Sequence, residues 1–173
     1  WAEFKSVQLN PKTKLDGSPN AVYLQDQLDE WYGKDRVHVI LPIVDPYVVH
    51  HGSLGSYAVA YVGKGINCDE VIERLAKLPG MEIVLERAEA CRRFELPPDR
   101  LGDIVMFSRR HTVLATSKDR HDLSVLDVPL RSHGGITEQE VPLLFNKKVL
   151  GIPREPRPRN FDAFYIALNH VLH

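Results

Sequence analysis

Tyr57-Ala58-Val59-Ala60-Tyr61-Val62, then Asp69-Glu70-Val71-Ile72-Glu73-Arg74-Leu75-Ala76-Lys77-Leu78, then Met81-Glu82-Ile83-Val84-Leu85: across these three runs the hydrophobic period changes twice. The first run alternates aromatic and branched residues with alanine, the pattern of a strand. In the second, Val71, Ile72 and Leu75 form one apolar stripe at helical spacing, and Glu70, Glu73, Arg74 and Lys77 fall on the solvated side. Asn67 and Asp69 are candidate N-caps, and Gly80 stands just past the end. The third run returns to a strand.

Working outward, Val37 to Val44 is rich in β-branched residues and interrupted only by Pro42, which predicts a strand ending at an edge or bulge near Asp45-Pro46. Tyr57 to Val62 is its expected hairpin partner. Downstream, Asp103 to Ser108 contains Ile104, Val105, Met106 and Phe107 and reads as a buried strand, with His111 to Thr116 as its expected neighbour. Glu86 to Phe94 fits neither period and is either extended or a short helix. From 37 to 116 the order of strands around one helix predicts a small antiparallel sheet with a helix on one face, an α+β plait of the ferredoxin-like kind.

That plait is too short to be the whole chain. Residues 10 to 20, with Asp16-Gly17 between two prolines, read as loop. A helix is predicted from Ala21 to Trp31 on Val22, Leu24, Leu28 and Trp31, with Gly33 as its stop. Arg131 to His173 holds a glycine turn, a predicted strand Val141 to Phe145, a loop rich in proline and arginine, and a predicted helix from Asn160 to Leu172 capped by Asn160. These end segments are expected to form a different layer from the plait.

Of 173 residues, 22 are Lys or Arg and 23 Asp or Glu, for a formal net charge of -1. Such a balance gives no long-range basic field, so no nucleic-acid partner and no membrane surface are expected. Apolar runs fall far short of a bilayer-spanning helix. Two cysteines, Cys68 and Cys91, lack C-x-x-C spacing and are too few for a disulfide scaffold, so a reducing cytoplasm is the expected location. The chain starts at Trp1, and a fragment or processed product is the expectation.

Among the eight histidines, only His133 stands in a context that reads as a site, Ser132-His133-Gly134-Gly135-Ile136-Thr137-Glu138. Two glycines after it allow close approach of the backbone to a ligand, and an imidazole can coordinate through one nitrogen while the other orients it. A turn histidine is the plainer alternative. His50 and His51 are adjacent, so on a strand at most one faces a given site. Asp45 ends a strand where sites often sit, yet Asp-Pro is also an ordinary turn opener. Arg92-Arg93 and the arginines from Arg154 to Arg159 are suited to anions but read more simply as solvated. His38, His111 and His121 read as surface or satisfied core residues. No phosphate-binding glycine loop and no nucleophile elbow occur.

Ser132-His133-Gly134-Gly135-Ile136-Thr137-Glu138-Gln139-Glu140-Val141-Pro142-Leu143 resembles the late histidine motif of the phosphonoacetate hydrolases, zinc-dependent members of the alkaline phosphatase superfamily that are type I phosphodiesterase/nucleotide pyrophosphatase-like. Three further stretches resemble that family in the same order: Asp16-Gly17-Ser18-Pro19-Asn20-Ala21-Val22-Tyr23-Leu24-Gln25-Asp26, Ile43 to Ser56, and Arg159-Asn160-Phe161-Asp162-Ala163-Phe164 with Ala167-Leu168-Asn169-His170. The similarity spans nearly the whole chain and is to the C-terminal part of the family.

The resemblance implies an α/β fold of α+β character, the C-terminal part of an alkaline-phosphatase-like core interrupted by a ferredoxin-like α+β cap. Residues 1–34 and 129–173 would belong to the core and 35–128 to the cap. It also implies two zinc ions, a threonine nucleophile, and cleavage of the carbon–phosphorus bond of a small phosphonate to give acetate and phosphate. Only one metal ligand carries over, onto His133. Lys5-Ser6-Val7-Gln8-Leu9 stands where the family has Asp-His-Gly. A catalytic zinc needs about three protein ligands, so the chain alone is expected to be inactive. A non-catalytic remnant serving as a binding or assembly module is the alternative. Part of a larger core would expose apolar surface, and either pairing into a homodimer or aggregation is then expected.

Overall fold

The computed structural model of the chain describes residues 10–42, 54–121, 123–124, 130–152, 155 and 157–172. Contacts divide it into two compact units, Trp1–Gln139 and Glu140–His173. In the first unit the elements are β1 (Asn10–Pro11), β2 (Ala21–Tyr23), α1 (Leu24–Tyr32), β3 (Val37–Ile40), β4 (Tyr57–Val62), α2 (Cys68–Ala76), β5 (Met81–Glu86), α3 (Arg87–Phe94), β6 (Ile104–Ser108), β7 (Val113–Ala115) and β8 (Arg131–Ser132).

Four of these strands make an antiparallel sheet in the order β3-β4-β6-β5. The expected hairpin of β3 with β4 is present, Val37 opposite Val62 and Ile40 opposite Val59. Alternation along the strands sorts side chains between two faces. Ala58, Ala60, Ile104 and Met106 join Leu24 and Leu28 of α1 and Val71 and Leu75 of α2 in one core, while Val59, Val105 and Phe107 join Ala90 of α3 in another. All five residues of β6 are buried, as expected of a strand covered on both faces. This is the plait, an α/β fold of α+β character, with α1 as the second helix on its helical face.

Helix α2 begins where Asn67 caps it, its side chain accepting from the Asp69 N–H at 2.9 Å, a contact worth about 1 kcal/mol in such positions. The ambiguous stretch after β5 is helical. Its first residue is tied to the sheet, since the Arg87 N–H donates to the Asp103 carbonyl at 2.9 Å.

Two expectations in this unit are corrected. The predicted helix from Ala21 starts only at Leu24, because Ala21, Val22 and Tyr23 pair in parallel with Val113, Leu114 and Ala115. The same pairing corrects the placement of His111 to Thr116: β7 is the neighbour of β2 and does not extend the sheet beside β6. The reason is geometric, because β4 and β5 already occupy both edges of β6. A turn closed by the Thr112 N–H on the Arg109 carbonyl at 3.0 Å takes the chain out of the sheet. The predicted continuation of β3 through Val44 passes into residues outside the described ones, beyond Leu41 and Pro42.

In the second unit, 141–145 form neither strand nor helix, against the expectation for Val141 to Phe145. Pro142 lacks the N–H a ladder needs, and Val141, Leu143 and Leu144 are exposed. Helix α4 covers Asp162–Asn169, shorter than predicted. Asn160 is not its cap: Phe161 holds that position without a side-chain hydrogen bond, and the Asp162 carboxylate accepts from the Arg159 N–H at 2.7 Å. Past the helix, Val171 bridges Val149.

Candidate functional site: the His133 loop

The loop that carries His133 leaves β8, which pairs antiparallel with β1, Asn10 opposite Ser132 and Pro11 opposite Arg131. The Lys12 N–H extends this pairing onto the Leu130 carbonyl at 2.7 Å. Lys12 is thereby carried inward beside the start of the loop, and it is fully buried.

Its ammonium has three oxygen partners: Ser56 Oγ at 2.8 Å, the Arg110 carbonyl at 2.7 Å and Glu138 Oε1 at 2.8 Å. Three partners match the three donors of an ammonium. The Glu138 side chain is only 3% exposed, so this is a buried ion pair whose remaining hydrogen bonds are also made. Burial pushes the Lys12 ammonium below its ordinary value, and the hydrogen bond and charge of Glu138 work the other way.

The second oxygen of Glu138, Oε2, accepts from the Gly135 N–H at 2.5 Å. Ser56 holds the loop from the other side, its N–H donating to the His133 carbonyl at 2.9 Å. Ser132 adds a third tie, with its hydroxyl donating to the Leu54 carbonyl at 2.6 Å. The two glycines have separate reasons. Gly134 has φ +91°, a conformation that side chains disfavour. At Gly135 a Cβ would lie 2.8 Å from Glu138 Oε2 and 3.2 Å from Ser56 Cβ.

The backbone of the loop is thus fixed on both sides of His133, whose side chain is exposed. Of the other residues singled out in the sequence, Asp45, His50, His51 and Arg154 lie outside the described residues. Arg92 pairs with Glu89 on the surface of α3, and Arg93 lies over the Phe94 ring at 5.4 Å. His111 Nδ1 is 2.9 Å from the Pro11 carbonyl, and His121 Nε2 is 2.9 Å from Thr116 Oγ1. None of these joins His133. An open cleft of about 550 Å³ lined by His38, Arg120 and His121 lies elsewhere on the first unit.

Among the described residues, no group of three or more His, Cys, Asp or Glu side chains could hold a metal ion. The donor set around His133 is one imidazole, short of the three that a catalytic zinc requires, so the described residues do not by themselves fit that ion. The sequence reading passed over Lys12 and Ser56. A lysine in a proline-flanked loop gives no sign of burial, and its partner Glu138 lies 126 residues away.

The chain is similar to two crystal structures of phosphonoacetate hydrolase from Sinorhizobium meliloti 1021, one in complex with phosphonoformate and one with phosphonoacetate. In each, the match is 58% identical with a TM-score of 0.82, and it covers 92% of this chain and 39% of the other. A phosphonoacetate hydrolase sequence from Penicillium oxalicum is 52% identical over 42 residues, 22% of this chain and 58% of that one. No family model matches the chain. The chain spans about two fifths of the Sinorhizobium structures and its match covers 58% of the Penicillium sequence, less than two thirds of either. Its likeness in sequence and structure over nine-tenths of its own length bears out the resemblance to phosphonoacetate hydrolase read from the His133 motif.

Proposed function

We propose that this chain is the C-terminal portion of a zinc-dependent phosphonoacetate hydrolase-like enzyme, with a small phosphonate as substrate, and that it is inactive on its own. The supporting observation is the 58% identity over 92% of the chain to a structure holding phosphonoacetate. In the complete enzyme His133 would supply one zinc ligand from a loop whose backbone is fixed on both sides, and the bound ion would provide Lewis-acid stabilisation of negative charge. The reaction adds water across the carbon–phosphorus bond, the hydroxyl going to phosphorus and the proton to carbon, to give phosphate and acetate.

Inactivity of the isolated chain is favoured because, among the described residues, no three His, Cys, Asp or Glu side chains come together to hold a metal ion. The test compares the 173-residue chain with the full-length protein from which it comes, assaying acetate and phosphate release from phosphonoacetate. The expected result is no rate from the chain, a chelator-sensitive rate from the full-length protein, and loss of that rate with His133→Ala. A chelator-sensitive rate from the chain alone overturns the inactivity.

A second reading, a non-catalytic remnant acting as a binding or assembly module, is favoured by Lys5-Ser6-Val7-Gln8-Leu9 standing where the family resemblance implies Asp-His-Gly. A full-length protein that folds and binds zinc weakly or not at all, with no hydrolysis of phosphonoacetate, selects it.

A further inference from the structure

We infer that Lys12 and Glu138 are positioning residues for His133: their buried ion pair, with Ser56, holds the 132–138 loop in the conformation that presents the imidazole. Lys12 comes from the far end of the sequence, and its ammonium joins Glu138 Oε1 to Ser56 Oγ, both at 2.8 Å. Each of those two residues also grips the loop backbone. Glu138 accepts from Gly135 N–H, and Ser56 donates its N–H to the His133 carbonyl. Lys12, Glu138 and Ser56 thus close a ring with the loop backbone from the His133 carbonyl to the Gly135 N–H, with Gly134 between the two grips.

A buried ion pair is poor evidence for stability, since two well-packed apolar residues in its place often do as well or better. What the pair supplies instead is directional. Each carboxylate oxygen has its own assigned donor, Lys12 on one and Gly135 on the other, which fixes the carboxylate plane and with it the Gly135 amide. No aliphatic pair can do that. The absence of a Cβ at Gly135 lets Glu138 approach this closely, so the second glycine of the motif belongs to this clamp. His133 itself is exposed and gains no orientation from burial. The consequence for a zinc ligand rests on the proposed function; the ordering of the loop does not.

The test is amide hydrogen exchange on the full-length protein, read at Gly135 and Ser56 against amides of β4 and β6, with urea unfolding measured in parallel. The variants are Lys12→Met/Glu138→Leu, which removes both charges together and leaves neither buried alone, and Glu138→Gln, which keeps an acceptor for Gly135. The double variant is expected to speed exchange at Gly135 and Ser56 by about tenfold or more with sheet amides unchanged, because a local opening free energy has been lowered. Glu138→Gln should retain most of the protection. Exchange unchanged at both amides overturns the inference. So does acceleration that spreads evenly to the sheet in step with a lower urea midpoint, which marks a merely structural pair. Selective acceleration in a protein that shows no hydrolysis of phosphonoacetate supports the clamp and counts against the proposed function alone.

Discussion

The Gln25 side-chain carbonyl accepts from the backbone N–H of Val39 at 2.9 Å, and the same amide donates to the Val37 carbonyl at 2.8 Å. β3 is an outer strand of the sheet, and an exposed row of unpaired backbone groups invites pairing with another chain. One glutamine on the first turn of α1 therefore stands in for a neighbouring strand at two successive outward-facing groups. Gln25→Ala should lower unfolding free energy by about 1–2 kcal/mol, since two backbone groups lose their partners. Urea unfolding reads the loss, and light scattering should show earlier self-association in the variant.

Asp103 joins three segments. Its carboxylate accepts from the Val62 N–H at 2.8 Å and pairs with Arg87 at 2.5 Å, and its carbonyl accepts from the Arg87 N–H. Both partners of the ion pair are more than a third exposed, so the Coulombic part is small. The amide of Val62 matters more. Asp103→Ala should cost about 1–2 kcal/mol and Arg87→Met well under half of that, measured as shifts in the urea midpoint.

Gly135→Ala should be poorly tolerated although the loop is at the surface. Its Cβ would sit 2.8 Å from Glu138 Oε2, and the carboxylate cannot retreat without leaving Lys12. A loss of about 1–3 kcal/mol is expected, the range for forcing an extra carbon into a filled space. Gly17, with φ +84° and open space around its missing side chain, is the control. Alanine there should cost only about 1 kcal/mol, the backbone strain alone.

The depressed Lys12 value has a signed consequence. Its burial makes the charged form costlier in the folded chain than in the unfolded one. As pH rises through the folded value toward 10.5, the folded state releases this proton while the unfolded state still holds it. Stability rises with pH wherever the unfolded state binds more protons. Relative to Lys12→Met, the unmodified protein should therefore gain stability through this alkaline window. Paired urea titrations at neutral and alkaline pH check it; a difference between the two proteins that stays flat or falls would contradict the assignment.

Where local pattern and tertiary need agree, the sequence is legible. Val71, Ile72 and Leu75 mark α2 because one stripe meets one sheet face, and the four strands of the plait show themselves by their branched residues. The misreadings share a cause. Val22, Leu24, Leu28 and Trp31 together read as one helix, yet Val22 is drawn into a strand by Leu114, a partner 92 residues later. His111 to Thr116 has strand composition, but which strand it joins depends on β6 having no edge left. Asn160 is a good cap by type and lost that place to local geometry at Phe161. The histidine of the candidate site was readable because two glycines follow it. The residues that fix it were not, because a buried lysine and a surface lysine have the same letter and the difference lies in who surrounds them.

β6 sits between β4 and β5, although it is made after both. During synthesis the β3–β4 hairpin and β5 emerge with no strand to join them, and the open side of β4 waits until residues 104–108 leave the ribosome. Until then the nascent chain carries two unpaired edges and the apolar faces of Val59, Ile83 and Leu85, surfaces of the kind that chaperones bind. The sheet is thus completed by a strand that inserts between two made before it.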